Sequence, residues 1–116
     1  LNGKKPSVEL LTDGMLDASE ITLANARLLQ LAGPWGQGFE EPIFYGDFEL
    51  VEQRIVGEKH LKCTLKQAGD SRIFEGIAFF QDKLKDKNVQ TSYRLNVNHF
   101  RGVDSLQLMI QSLENT

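Results

Sequence analysis

A stretch rich in glycine and proline, residues 33–43, most constrains what this chain can fold into. It contains three glycines and two prolines, which neither continue a helix nor fill a central strand. A flexible linker would lack large apolar side chains, whereas this stretch contains Trp35, Phe39 and Ile43. We therefore predict a packed hinge that joins two kinds of structure and has no ligand of its own.

The residues before the hinge have helical periodicity. Asp17, followed three residues later by Glu20, is typical of a helix N-terminus. Gly33 and Pro34 end the pattern, so we predict a helix over 18–32. Arg27 and Asn25 are expected to face solvent. The predicted buried face consists of residues spaced by three or four positions: Ile21, Ala24, Leu28 and Leu31.

Strand periodicity follows the hinge. Apolar doublets interrupt the alternation in the first segment, which favours a long coiled strand with a bulge. Gly76 marks a bend in the third segment. We predict a mainly β fold with one N-terminal helix and a five-stranded OB-like barrel, the alternative being an antiparallel sheet packed on the helix. The usual helix between the third and fourth strands is expected to be missing or reduced, because 82–89 is short and polar. The predicted strands are 44–56, 59–66, 72–80, 91–100 and 105–113.

The domain organisation follows from these elements. Residues 1–32 are predicted to be the end of a preceding domain, including a strand end at Val8, Leu10 and Leu11. Residues 33–43 form the hinge, and residues 44–116 form the barrel. A chain of 116 residues that begins with leucine is expected to be an excised piece of a longer protein.

Composition and charge limit the class of protein. Hydrophobic residues make up 41% of the chain and charged residues 25%, which is ordinary for a soluble globular domain. No apolar run is long enough to cross a membrane, so a cytoplasmic location is expected. The net charge is -3, but residues 1–53 carry three Lys or Arg against nine acids, whereas residues 54–116 carry ten against seven. Only the second part is predicted to attract phosphate.

No arrangement of residues predicts catalysis. Cys63 is the only cysteine, and His60 and His99 are far apart in sequence. Glu40 and Glu41 are adjacent in the hinge, without a histidine or third carboxylate to share a metal. We therefore predict that this chain has no catalytic residue, no metal site and no cofactor.

A binding surface is better supported. Arg54, Lys59, Lys62 and Lys66 are predicted to form a stripe of positive charge on the first hairpin, beside His60. The solvated face of any strand is often rich in lysine, so this alternative remains open. Arg101 is a second candidate phosphate contact, unless it merely caps the turn or pairs with Asp104. The candidate stacking aromatics, each also explained by hinge or core packing, are Trp35, Phe39, Tyr45 and Tyr93.

Three separated motifs resemble one known family. They are GPWGQGFEEPIF at 33–44, VGEKHLK at 56–62 and NHFRGVDSLQL at 98–108. Together they resemble the C-terminal part of the bacterial RecJ family of single-strand-specific DNA exonucleases. The second motif contains Lys59, His60 and Lys62 of the predicted stripe.

The resemblance implies a function that the residues alone do not establish. It implies a single-stranded-DNA-binding module of a 5′-to-3′ exonuclease of recombination and repair. The Mn- or Mg-dependent catalytic core of that family would lie upstream of Leu1. The partners implied are single-stranded DNA and a single-strand-binding protein, and a monomer is expected. The alternative is an architectural or protein-interaction domain without direct DNA contact.

Overall fold

The computed structural model describes residues 14–36, 38 and 40–116, so the predicted strand at Val8–Leu11 lies outside the described part. A short strand and one α-helix precede five longer strands. Their bounds are β1 Gly14–Met15, α1 Leu23–Ala32, β2 Phe44–Val56, β3 His60–Lys66, β4 Phe74–Ala78, β5 Asn88–Phe100 and β6 Val103–Asn115. None of the described helices is long and apolar enough to cross a membrane.

Strands β2 to β6 form a closed barrel. Their order is β2-β3-β4-β6-β5, and β5 pairs back onto β2 to close the ring. The β4–β6 pair is parallel and the other pairs around the ring are antiparallel. The predicted five-stranded OB-like barrel with one preceding helix is therefore confirmed. No helix lies between β4 and β5, as the polar sequence there predicts.

The first barrel strand, β2, pairs with two neighbouring strands. The first half of β2 pairs with β5, from Phe44 opposite Tyr93 to Glu49 opposite Asn88. The second half pairs with β3, and the register shifts between Leu50 and Glu52. This bulge is the feature that the apolar doublets predict, since an extra residue lets one strand turn from one neighbour to the other.

The barrel interior is filled by alternating side chains. Leu61, Cys63 and Leu65 of β3 are buried, and Tyr93, Leu95 and Val97 of β5 are buried as well. Gly76 of β4 leaves space for Ile110, because an added Cβ would lie 2.8 Å from Ile110 Cδ1. The glycine thus permits close packing inside the barrel in addition to any bend.

The third predicted strand is shorter than expected. The pattern predicts 72–80, whereas β4 covers only Phe74–Ala78, with Phe74, Gly76 and Ala78 facing inward. Ile73, Phe79 and Phe80 are exposed and lie outside the strand. An apolar run does not reveal where a strand leaves the sheet, because exposed and buried phenylalanines have the same sequence signature.

The predicted helix over 18–32 is divided. Residues Ala18–Glu20 form one 3₁₀ turn, in which the backbone N–H of Asp17 donates to Glu20 Oε1 at 2.9 Å. The α-helix begins later, where Thr22 Oγ1 accepts the N–H of Asn25 at 3.1 Å. Threonine at that position is itself a good N-cap, and it restarts the helix after the turn. The helix ends as predicted, with Gly33 as its C-cap.

The predicted buried face is correct for Ile21, which is buried, but wrong for Ala24 and Leu31 in the helix. Ala26 and Leu29 are buried, whereas Ala24 is exposed and Leu31 is 77% exposed. The α-helix begins anew after Thr22 and does not continue the 3₁₀ turn. Helical spacing counted from Ile21 therefore does not predict which face of α1 is buried. Asn25 is also half-buried rather than facing solvent, and its Nδ2 donates to Glu20 O at 2.8 Å. Arg27 is exposed, as expected.

The segment before the hinge packs on the barrel. Strand β1 pairs in parallel with the start of β2, Gly14 lying opposite Phe44. Buried residues of the two parts, including Leu16, Ile21 and Leu29, belong to one hydrophobic cluster with the barrel core. The domain boundaries at residues 32 and 43 stay a prediction.

Two glutamine side chains form hydrogen bonds with the backbone of segments that have no neighbouring strand at that point. Gln53 Nε2 donates to Leu84 O and Gln53 Oε1 accepts the Leu84 N–H, both at 2.9 Å. Leu84 packs against the core from the loop that stands where other barrels of this class carry a helix. Gln67 makes the same pair of bonds with Leu16 O and Ala18 N–H, each at 2.8 Å. Each side chain therefore holds a peripheral segment as a strand neighbour would.

Gln53→Ala should destabilise the barrel. The substitution leaves both backbone groups of the part-buried Leu84 without their partner, which costs about 1–3 kcal/mol. Urea denaturation followed by circular dichroism measures the change. Gln90→Ala, at an exposed position of β5, is the control and should change the free energy of unfolding by less than about 0.5 kcal/mol. Equal stability of the two variants would show that Leu84 is held by packing alone.

Candidate nucleic-acid interface

The β2–β3 hairpin brings three of the predicted cations together. Its turn is made by Gly57, whose φ of +59° suits glycine, and exposed Lys59 follows in the same turn. Arg54 and Lys62 lie directly opposite each other on the two strands. Lys62 alternates with the buried Leu61 and Cys63, so its side chain lies on the outer face of the barrel, and exposed Arg54 shares that face because it is the cross-strand partner of Lys62. Within the described residues, Arg54, Lys59 and Lys62 make no ion pair.

Lys66 lies at the other end of β3 and differs from these three. Its Nζ is 3.7 Å from Glu49 Oε1, so a carboxylate offsets its charge. Between Lys62 and Lys66, Thr64 has Glu52 opposite on β2, and its Oγ1 donates a 3.1 Å hydrogen bond to Glu75 Oε2 of β4. The predicted stripe is therefore interrupted by acids, and its unpaired positive charge is concentrated at the hairpin end.

His60 has a different role from the cations beside it. Its Nδ1 accepts the backbone N–H of Phe80 at 3.2 Å. Its ring also meets the rings of Phe79 and Phe80 edge to face, with centroids 5.0 and 4.8 Å away. The sequence pattern did not predict a binding role for these two phenylalanines. In the sequence they are a pair of aromatic residues directly before a polar loop. The same pattern is also typical of the end of a buried strand.

Arg101 is separate from the hairpin cations. It lies at the tip of the β5–β6 hairpin with φ of 51°, next to Gly102, and its guanidinium carbon is 5.1 Å from the Phe100 ring centroid. Arg101 does not pair with Asp104. That carboxylate instead contacts His99 at 2.5 Å and Arg27 at 3.2 Å, and hydrogen bonds from these two groups lower its pKa.

The structure describes three of the four aromatic residues predicted as candidate stacking platforms, and their environments differ. Tyr93 is fully buried and packs against Phe44 and Phe48, so it belongs to the core. Trp35 is half-buried, and its Nε1 donates to Leu29 O at 3.2 Å, as expected of a packed hinge. Tyr45 is half-exposed on β2, beside a shallow cleft. Phe39 lies outside the described residues.

Burial shifts the pKa values of Cys63 and Glu41. Burial, with a smaller contribution from Glu75, raises the pKa of Cys63 to about 12, which keeps this thiol protonated. Partial burial raises the pKa of Glu41, although nearby Arg94 opposes this shift. In the part of the chain that the structure describes, no group of three His, Cys, Asp or Glu side chains could hold a metal ion.

The fold and the surface together define a class. A closed five-stranded barrel in this order is OB-like, and barrels of this class bind oligonucleotides or oligosaccharides on the face of their second and third strands. In this chain those strands are β3, which contains Lys62, and β4, which Phe79 and Phe80 directly follow.

Comparison with known proteins identifies the family. The chain belongs to the RecJ OB domain family, whose model matches residues 12–112. It is 46% identical over 107 residues to the single-stranded-DNA-specific exonuclease RecJ of Dickeya dadantii. It is 44% identical over 110 residues to the protein of the same name from Escherichia coli. These alignments cover 88% and 90% of the chain but only 19% of each relative.

Solved structures agree on the fold. The crystal structure of Thermus thermophilus RecJ in complex with Mn²⁺ superposes with a TM-score of 0.67 at 23% identity. The structure of that protein with Mg²⁺ gives a TM-score of 0.64 at 22% identity. Each superposition covers 90% of this chain, and 15% and 17% of the respective RecJ chains.

Proposed function

We propose that this chain is the single-stranded-DNA-binding module of a RecJ-like 5′-to-3′ exonuclease that acts in recombination and repair in the cytoplasm. Membership of the RecJ OB domain family supports this proposal. The chain spans about a fifth of the length of its curated relatives, each of which is called a single-stranded-DNA-specific exonuclease. In this proposal the chain is the C-terminal region of the enzyme and is itself monomeric and inactive. Mn or Mg would serve a catalytic core outside it.

The observation that carries the proposal is the cross-strand pair of Arg54 and Lys62, with Lys59 at the adjacent turn. Three cations without ion-pair partners among the described residues can neutralise phosphates of a flexible strand. Binding would then release counterions condensed on the DNA, which supplies most of the free energy of nonspecific association. The module would hold and steer a strand towards a distant catalytic site.

A second function has a specific observation in its favour. Glu49, Glu52 and Glu75 lie beside the cations, so the outer face of β3 carries mixed charge. Mixed charge is also typical of a protein-binding or architectural surface. In this alternative the domain would dock a partner such as a single-strand-binding protein and would not touch DNA.

A salt titration distinguishes the two functions. We expect the chain to bind a fluorescent oligonucleotide with a dissociation constant between about 1 and 100 μM at physiological salt. The logarithm of the affinity should fall with the logarithm of salt concentration by about 0.7 for each phosphate contact. Lys59→Ala/Lys62→Ala should therefore flatten the slope by about 1.4, because it removes two contacts.

The control variant removes two charges elsewhere. Arg72→Ala/Lys87→Ala changes the net charge equally, but Arg72 is paired with Asp70 at 2.9 Å and Lys87 lies directly before β5. The slope of this control should match that of the wild type. Equal slopes for both double variants, or no binding at low salt, would favour the architectural function.

A further inference from the structure

Two adjacent phenylalanines are exposed to solvent directly after the end of β4. Phe79 is 53% exposed and Phe80 is 80% exposed, although both follow directly on the buried Ala78. A pair of solvated aromatic rings forgoes a favourable burial energy, so a functional reason is expected.

The backbone at Phe80 is held in an uncommon conformation. Its φ is 55°, in the left-handed region that bulky residues rarely adopt. The His60 Nδ1 accepts the N–H of Phe80 at 3.2 Å and so supports this conformation from the neighbouring strand. The two phenylalanine rings stand nearly perpendicular to the His60 ring, at interplanar angles of 86° and 73°. The faces of the two rings therefore do not stack on His60.

The surroundings of the rings indicate what they would bind. Lys62 lies opposite Ile77 of β4, Phe79 follows two residues after Ile77 just beyond the end of that strand, and Lys59 directly precedes His60. Solvated rings thus lie next to unpaired cations on one face. An apolar peptide would use the rings without the cations, whereas an unpaired nucleic-acid strand presents flat bases beside phosphates. Charge complementarity favours the nucleic acid.

We propose that Phe79 and Phe80 form a stacking platform for unpaired nucleobases, and that His60 is the positioning residue that holds it. This inference rests on the proposed single-stranded-DNA binding, and it adds a contribution to the binding affinity that depends on the bases. The cations would bind phosphate and produce the salt dependence. The platform would stack on bases of any sequence and make the surface selective for unpaired strands, since bases in a duplex do not expose their faces.

The first experiment compares two oligonucleotides of equal length and charge, an oligothymidylate and an abasic strand. Wild type should bind the thymidylate about tenfold more tightly, as expected for one stacked base. Phe80→Ala should lose most of this preference and keep the salt slope, because the cations remain. Phe100→Ala is the matched control, since Phe100 is 63% exposed on the β5–β6 hairpin. It should keep the preference.

The second experiment tests the positioning role of His60. Asparagine places Oδ1 where histidine places Nδ1, so His60→Asn can still accept the Phe80 N–H. His60→Asn should therefore keep most of the preference for thymidylate, whereas His60→Ala should lose it. Circular dichroism verifies that each variant is folded.

The outcomes separate this inference from the proposed function. Equal affinity of wild type for the thymidylate and abasic strands, with a normal salt slope, would overturn the platform and leave phosphate binding intact. An undiminished preference in Phe80→Ala would also overturn the platform. No binding of either strand would overturn both proposals. Equal loss in His60→Asn and His60→Ala would overturn the positioning role.

Discussion

Tyr93→Ala should strongly destabilise the barrel, whereas Tyr93→Phe should not destabilise it. Tyr93 is fully buried, and its ring centroid lies 6.1 Å from that of Phe44 and 5.7 Å from that of Phe48. Tyr93→Ala removes this packing and leaves a cavity, which costs about 3–5 kcal/mol. That loss is a large share of the roughly 5–15 kcal/mol by which a domain is stable.

Tyr93→Phe should leave stability unchanged or raise it by up to about 1 kcal/mol. The Tyr93 hydroxyl is buried and has no hydrogen-bond partner among the described residues. Burial, together with the nearby charge of Glu20, raises the pKa of this hydroxyl. Removing an unpartnered buried hydroxyl removes its desolvation cost.

Urea denaturation of both Tyr93 variants measures these changes. The half-exposed Tyr45 on β2 is the control, and Tyr45→Phe and Tyr45→Ala should each stay within about 1 kcal/mol of wild type. A Tyr93→Phe variant that loses more than about 1 kcal/mol would show that the hydroxyl has a hydrogen-bond partner.

Trp35→Ala should destabilise the fold by about 3 kcal/mol, with only a small effect on DNA binding. The side chain is half-buried against the core, and its indole N–H donates to the backbone oxygen of Leu29 near the end of α1. Loss of the ring would leave that carbonyl without its partner and would uncouple the hinge from the helix.

Because the variant lacks the only tryptophan, circular dichroism and not fluorescence should follow its unfolding. Trp35→Phe keeps part of the packing and removes the hydrogen bond, so it should fall between wild type and Trp35→Ala. An unchanged melting temperature for Trp35→Ala would contradict the packed hinge and make Trp35 a stacking candidate.

The two proposed contributions to binding lie on one face but depend on different physics. The cations Arg54, Lys59 and Lys62 would act through charge, which salt screens, whereas Phe79 and Phe80 would act through stacking, which depends little on salt. A few phosphate contacts give only weak affinity. Such a module would therefore act as a guide for a strand that the rest of a larger enzyme also holds.

Local patterns in the sequence determined much of the fold. The alternation in β3 and β5, the apolar doublets of β2 and the Gly/Pro hinge each depend on neighbouring residues only, so they predicted the barrel strands, the bulge and the end of the helix. The three motifs identified the family because their order along the chain is itself sequence information.

Other features were decided only by the tertiary structure. Thr22 restarts the helix and so sets which face is buried, and the local pattern did not distinguish this cap from Asp17. Glu49 offsets Lys66 because β2 and β3 pair in one particular register. Phe80 is exposed because β4 leaves the sheet at Ala78 and His60 holds the turn from another strand. The outcomes at Lys66 and Phe80 depend on contacts between residues distant in sequence, and residue type alone does not determine such contacts.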